Sequence, residues 1–229
     1  MKIAEPGNQR KVVLDSAGSE TTPCNEDRRA DRVGPNQAGK RKMTTVYLPS
    51  ESQRKLMELS RQVLEDFVLG IKRQKEPIDD PYLQSRDYGA FVSLHKQKEL
   101  RGCIGNCVPK ARLFETVTEM TEAAASRDPR VRPVSKKELG EIRIDITVLS
   151  PLVPLADPLS VVVVGEHGLY IAAGGKRGVL LPQVATQYEW DSKTFLEQTC
   201  LKAGLRKNAW KDSDAQVSGF TALIIEEQL

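Results

Sequence analysis

Apolar residues recur at spacings of three and four in two stretches of the chain, a pattern typical of amphipathic helices. The first stretch follows Ser50 and Gln53, which fit a capping box, and predicts a helix of about 20 residues. Its apolar positions are Leu56, Leu59, Val63, Phe67 and Ile71. The second helix is marked by Leu113, Val117, Met120 and Ala124 and is broken by Arg127-Asp128-Pro129-Arg130.

Alternation of apolar and polar residues predicts strands elsewhere. The clearest case is the run Ile142, Ile144, Ile146 and Val148, whose side chains are expected to face the core. Residues 89–94 and 100–104 predict a hairpin, and further strands are expected at 161–164, 169–172, 179–181 and 220–225. Asp191 and Gly204 bound another helix. Clustered strands favour an α+β fold with antiparallel sheets flanked by helices.

The net charge of +3, from 34 basic and 31 acidic residues, lies in the leading segment. Residues 1–45 hold nine basic and six acidic side chains, which leaves 25 of each in residues 46–229. Because this segment has few large apolar residues, it cannot bury enough surface to offset its loss of conformational entropy. We therefore predict a disordered tail over 1–45 and a folded domain over 46–229, with Met43 a candidate for the true start.

The same composition disfavours several classes of protein. No apolar run approaches the roughly 20 residues that span a bilayer, so no membrane association is expected. Residues 1–10 lack the apolar core of a signal peptide, and we predict a cytoplasmic location. A domain with balanced charge is a poor candidate for duplex binding, so nucleic acid is not the favoured partner.

Four cysteines in this chain do not form a disulfide framework, and free thiols are expected. Cys103 and Cys107 form a C-x3-C pair, but a zinc site needs further ligands. Lys110 stands where a radical-SAM cluster motif has its third cysteine. We therefore expect no metal site and no cofactor.

The run from Leu100 to Asn106 carries the main candidate for chemistry, because two glycines flank Cys103 at the end of a predicted strand. Arg101 is expected to lower the pKa of the thiol, which a nucleophile requires. Gly102 and Gly105 are expected to leave room for a ligand. The alternative is a small buried hydrophobic cysteine, with the glycines serving a bulge.

The hairpin turn decides whether His95 can pair with Cys103. A two-residue turn at Gln97-Lys98 sets His95 opposite Leu100 and Cys103 opposite Val92, so the two side chains point to opposite faces. A three-residue turn places them on the same face. The turn lacks an Asn-Gly signal, so both registers stay open.

The Leu100-Arg101-Gly102-Cys103-Ile104-Gly105 run resembles the hallmark hexapeptide of the AMMECR-type domain family. Further matches are Gly89-Ala90-Phe91-Val92, Arg127-Asp128-Pro129-Arg130, Val148-Leu149-Ser150-Pro151, Arg177-Gly178-Val179-Leu180-Leu181-Pro182-Gln183-Val184-Ala185 and Phe195-Leu196-Glu197-Gln198-Thr199-Cys200. The resemblance implies two α+β subdomains that share a cleft. It also implies a place in the AmmeMemoRadiSam system, with a Memo-like protein and a radical-SAM enzyme as partners.

Two function classes follow. The first is an enzyme-like protein that uses Cys103, supported by Arg101, on a small molecule or a macromolecule. The second is a non-catalytic adaptor or RNA-binding module. In either case the candidate ligand- or partner-binding residues lie in the matching motifs or directly after one: Gly102, Gly105, Asn106, Arg127, Arg130, Arg177 and Gln183.

Overall fold

The structure, a computed structural model, describes residues 43–73, 78–97 and 99–228. The predicted tail lies outside the described residues except for 43–45. The helices are α1 (Ser50–Leu69), α2 (Leu113–Ser126), α3 (Pro158–Val161), α4 (Pro182–Gln187) and α5 (Ser192–Lys202). The strands are β1 (Gly89–Lys96), β2 (Glu99–Asn106), β3 (Ile142–Leu149), β4 (Val153–Pro154), β5 (His167–Ala173), β6 (Lys176–Leu180) and β7 (Gln216–Glu226).

Within the described residues, seven strands form one antiparallel sheet in the order β2-β1-β3-β7-β5-β6, with β4 also on β7. Strand β7 joins the two halves of the sheet, because residues 216–221 pair with β5 and residues 222–226 pair with β3. Together with the helices, this confirms the predicted α+β class.

Each half of the sheet has its own core. In the first half, α1 and α2 pack on β1 and β3, and the predicted alternation of β3 is confirmed because Ile142, Ile144, Ile146 and Val148 are buried. The second core is built from α5, β5 and the start of β7, around Phe195, Leu169 and Ile171. The predicted cleft between two subdomains stays a prediction.

Three local predictions are wrong. Ser50 does not cap α1; Pro49 stands at that position, and no side chain of the described residues caps the helix. The 161–164 run is not a strand, because Pro158 begins the short helix α3 and the Val162 amide bonds to its carbonyl. Ile71 lies beyond α1, which ends in a left-handed Gly70.

Among the helices in the described part of the chain, none has the length and apolar character needed to cross a membrane.

Candidate functional site

A β-bulge at Arg101 decides which way Cys103 points. Lys96 pairs with Glu99 and His95 with Leu100, as in a two-residue turn, but Leu94 then pairs with Gly102. The extra residue in β2 shifts the register, so Cys103 lies opposite Ser93 and not opposite Val92. Ser93 and His95 are two residues apart on β1 and so lie on the same face. Because Cys103 is opposite Ser93, Cys103 and His95 share that face. The expectation that a two-residue turn separates them is therefore wrong.

This face carries a polar row formed by Cys103, Ser93, Asp145 and His95. Ser93 Oγ donates a hydrogen bond to Cys103 Sγ at 3.2 Å. Ser93 lies opposite Asp145 on β3, and His95 Nε2 is 3.0 Å from Asp145 Oδ2. All four residues are partly exposed, whereas Val92 and Leu94 between them are buried against the helices. The row is therefore partly accessible to solvent.

Cys103 is held from its other side by the loop after α2. Strand β2 is an edge of the sheet, so half of its backbone groups face outwards. The Cys103 N–H donates to Asp128 Oδ2 at 2.9 Å, and the Cys103 carbonyl accepts from Arg130 Nη2 at 3.2 Å. Both backbone groups thus point away from β1, which makes Cys103 and Ser93 a pair without ladder hydrogen bonds. In such pairs the side chains lie closer together.

Arg101 does not serve the thiol as predicted. Its guanidinium forms a bidentate ion pair with Glu138, at 2.9 and 3.1 Å, and also donates to the carbonyls of Arg132 and Pro133. This pairing lowers the pKa of Glu138 to about 2. Arg101 therefore ties the bulge to the loop after α2.

The pKa of the Cys103 thiol is raised, contrary to the expected depression. Burial is the main cause; the Ser93 hydrogen bond and the charges of Arg130 and Lys202 oppose it, and the Asp128 charge adds to it. The thiol is consequently protonated at neutral pH. The pKa of Asp145 is also raised, by burial and by the charges of Glu226 and Glu227, while His95 opposes the rise.

The two motif glycines do not leave room for a ligand on their Cβ sides. A Cβ on Gly102 would lie 2.2 Å from the Ala124 carbonyl oxygen of α2, and one on Gly105 would lie 2.1 Å from the Phe91 ring. Protein atoms therefore fill the space beside both glycines, and the expectation that Gly102 and Gly105 leave room for a ligand there is wrong. These glycines allow α2 and an aromatic ring to approach β2.

The other predicted site residues are not all brought together. Asn106 accepts the Val108 N–H at 3.0 Å in the turn after β2. Arg127 reaches back to the Glu119 carbonyl on α2 at 3.4 Å, whereas Arg130 contacts Cys103. Arg177 on β6 and Gln183 on α4 are exposed. Within the described residues, neither forms a hydrogen bond with the polar row.

Three residues of the site were not identified from the sequence. Ser93 and Asp145 alternate with buried neighbours on β1 and β3, but alternation alone does not distinguish a site from a solvated face. Asp128 lies inside a motif that the sequence did show, and its burial was not visible there. A bulge was considered only as the alternative role of the two glycines, and its position at Arg101 and its effect on the register of Cys103 were not predicted.

A cleft of about 940 Å³ lies elsewhere, between α1 and α2. Its lining includes Leu59, Val63, Phe67, Ile71 and Phe114. Four of the five apolar residues predicted to form one face of α1 therefore border this cleft. The fifth, Leu56, is fully buried. The polar row does not line it. Across the described residues, no group of three or more His, Cys, Asp or Glu side chains is arranged to hold a metal ion.

Known proteins resemble most of the chain. The AMMECR1 family model matches residues 57–225. A protein from Methanothermobacter thermautotrophicus is 39% identical over 190 residues, which cover 81% of this chain and 99% of the relative. A protein from Thermococcus kodakarensis is 38% identical over 182 residues, covering 76% of this chain and 89% of the relative.

A solved structure agrees with this relationship. The crystal structure of an uncharacterised protein from Pyrococcus horikoshii matches with a TM-score of 0.70 and 35% identity, covering 76% of this chain and 90% of that one. With a family model over most of its length and relatives of similar size, this chain belongs to the AMMECR1 family, as its motifs predicted.

Proposed function

We propose that this AMMECR1-family protein is an enzyme-like protein that uses the Cys103 thiol. The observation that carries the proposal is the bulge at Arg101, which places Cys103 on one open face with Ser93, His95 and Asp145. Packing alone does not explain why the Ser93 hydroxyl donates to the sulfur of Cys103, or why the His95–Asp145 pair lies next to Ser93.

Because the pKa of the Cys103 thiol is raised, the thiol needs a base in the polar row to act as a nucleophile. A protonated thiol becomes a nucleophile when a base takes its proton as the sulfur bonds to an electrophilic carbon, and the electron pair of the π bond or leaving group on that carbon is displaced. The His95–Asp145 pair lies on the same face and is the base that we assign, reached through Ser93 or through water. The Ser93 hydroxyl stabilises the thiolate form, because a hydrogen bond donated to sulfur favours its negative charge.

Alkylation of the folded protein tests this proposal. We expect iodoacetamide to modify Cys103 with a pH midpoint above the ordinary thiol value near 8.5, because burial raises its pKa. Ser93→Ala should move that midpoint further up, since the hydroxyl lowers the pKa. Ser85→Ala is the matched control, because its hydroxyl contacts Asp87 and not the thiol. Peptide mapping by mass spectrometry separates Cys103 from the other three cysteines.

One result would end the proposal. If Cys103 stays unmodified until the protein unfolds, its thiol is a packing group, and a non-catalytic adaptor or an RNA-binding module becomes the better account. Salt-dependent binding of RNA by the same preparation would then separate those two.

We further propose the partners that the family resemblance implies, a Memo-like protein and a radical-SAM enzyme, acting with this chain in the cytoplasm on a small molecule or a macromolecule. The support is the hexapeptide around Cys103 and the family membership. Affinity purification of the full chain from the cytoplasmic fraction of its host, followed by mass spectrometry of proteins and small molecules, tests this. The same purification with the Cys103→Ser variant gives the background. The proposal would be contradicted if neither partner were recovered above that background.

A further inference from the structure

The Asp128 carboxylate is buried, with 4% of the residue exposed, and its hydrogen-bonding capacity is filled by two residues. Asp128 Oδ2 accepts from the Cys103 N–H at 2.9 Å and from Arg130 Nη2 at 2.6 Å. Asp128 Oδ1 accepts from Arg130 Nε at 2.9 Å and from the Arg130 N–H at 3.1 Å. A buried charge is tolerated because it is paired and saturated with donors.

This arrangement replaces a missing strand at the position of Cys103. On the edge of β2, no strand of the described residues lies next to the outward N–H and carbonyl of Cys103. Asp128 accepts from the N–H, and Arg130 donates to the carbonyl at 3.2 Å. Both contacts fix the backbone from which the thiol projects, and neither side chain takes part in the polar row.

The pair also places opposite charges beside the thiol. The positive charge of Arg130 favours the thiolate and lowers the pKa of Cys103, whereas the negative charge of Asp128 raises it. Since Asp128 and Arg130 form an ion pair, the two effects oppose each other. Removal of the Asp128 charge should therefore lower the pKa of Cys103, and removal of the Arg130 charge should raise it.

We propose that Asp128 is a positioning residue for Cys103, which fixes the cysteine backbone at the open edge of β2 and offsets the charge of Arg130 next to the sulfur. Its relevance to a reaction rests on the proposed function. Its effect on Cys103 can be measured whether or not the protein is an enzyme.

The experiment is a pH titration of the Cys103 Cβ resonance in the full chain labelled with carbon-13 cysteine, assigned by its loss in Cys103→Ser. We expect Asp128→Asn to lower the midpoint by about one pH unit, the size typical of a nearby unpaired cation. Arg130→Gln should raise the midpoint. Amide exchange at Cys103 should become faster in Asp128→Asn.

Asp80→Asn is the matched control. Asp80 is also a buried carboxylate, with 5% of the residue exposed, and accepts two backbone N–H groups and the Ser52 hydroxyl. It should leave the Cys103 midpoint and amide exchange unchanged while costing stability. If Asp128→Asn does not fold, the upward shift in Arg130→Gln remains the test of the charge balance.

The opposite signs separate positioning from general loosening. If the substitutions only loosened the structure, the thiol would become exposed, and the Cys103 pH midpoint of both variants would move towards that of a free cysteine. The proposal is overturned if both variants shift in the same direction, or if neither shifts. A failure of alkylation at Cys103 would affect the proposed function alone, because the resonance titration does not depend on access by a reagent.

Discussion

A side chain at position 102 would meet the backbone of α2 directly. The 2.2 Å separation between a Cβ on Gly102 and the Ala124 carbonyl oxygen is far below a contact distance, and a backbone atom cannot rotate away. At Gly105 the obstacle is the Phe91 ring, a side chain that sits across the strand pair. Gly102 thus sets how closely α2 approaches the strand that carries Cys103, whereas Gly105 makes room for the Phe91 ring.

Gly102→Ala is therefore expected to destabilise the protein by about 3 kcal/mol, at the upper end of overpacking costs, because α2 must move away from β2. Gly140→Ala is the control, since no described residue apart from its close chain neighbours lies within 4 Å of its Cβ position, and the change should stay within about 0.5 kcal/mol. Urea unfolding of both variants measures the two free energies. Equal costs for Gly102→Ala and Gly140→Ala would show that the close approach is not tight.

At the scale of elements, the sequence predicted where burial imposes a period. The alternation of β3 and the spacing of α2 follow from packing on one face, and both were correct. The Asp191 cap of α5 was also predicted, and Asp191 Oδ1 accepts the Thr194 N–H at 2.7 Å. The face of α1 was predicted less well: its buried residues are Ser52, Leu56, Ser60 and Leu64, and the two serines form hydrogen bonds that apolar spacing cannot show.

The bulge and the loop after α2 depend on contacts between elements that are distant in sequence. Arg101 is fixed by Glu138, 37 residues away, and Cys103 by Asp128, 25 residues away. Local patterns carry no information on such pairs, so the shared face of His95 and Cys103 could not be predicted. Cys103 was singled out from the sequence as a candidate, but its surroundings were not predicted.

The Arg101–Glu138 pair should make stability depend on pH. The folded pKa of Glu138, about 2, lies below its ordinary value of 4.5. A group with a depressed pKa contributes stability above the unfolded value and loses it as pH falls through the folded value. We therefore expect Glu138→Gln to be less stable than the parent at pH 7, with the difference shrinking between pH 4.5 and about 2.

Chemical unfolding at a series of pH values gives this difference. Glu141→Gln is the control, because the Lys96–Glu141 pair is exposed and such pairs contribute little. A Glu138→Gln deficit that stays constant down to pH 2 would contradict the role of the charge and leave only a packing effect.

At the scale of the whole molecule, the folded unit includes the segment that precedes α1. Val46 and Leu48 are buried in the first core, at 5% and 2% exposure. Upstream of them, the Thr44 carbonyl accepts from the Thr221 hydroxyl at 2.7 Å on β7, and Met43 lies against Gly219. Residues 43–48 thus contact both the first core and the strand that joins the two halves of the sheet.

These contacts predict where the chain can be shortened. A chain that begins at Met43 should melt within about one degree of full length, because residues 1–42 have a composition that cannot form a core. A chain that begins at Ser50 is the matched control and should lose several degrees, since it lacks two buried side chains worth about 1.5–3 kcal/mol each. Calorimetry at equal protein concentration compares the three. A clear loss of stability in the Met43 chain would show that residues 1–42 pack on the domain.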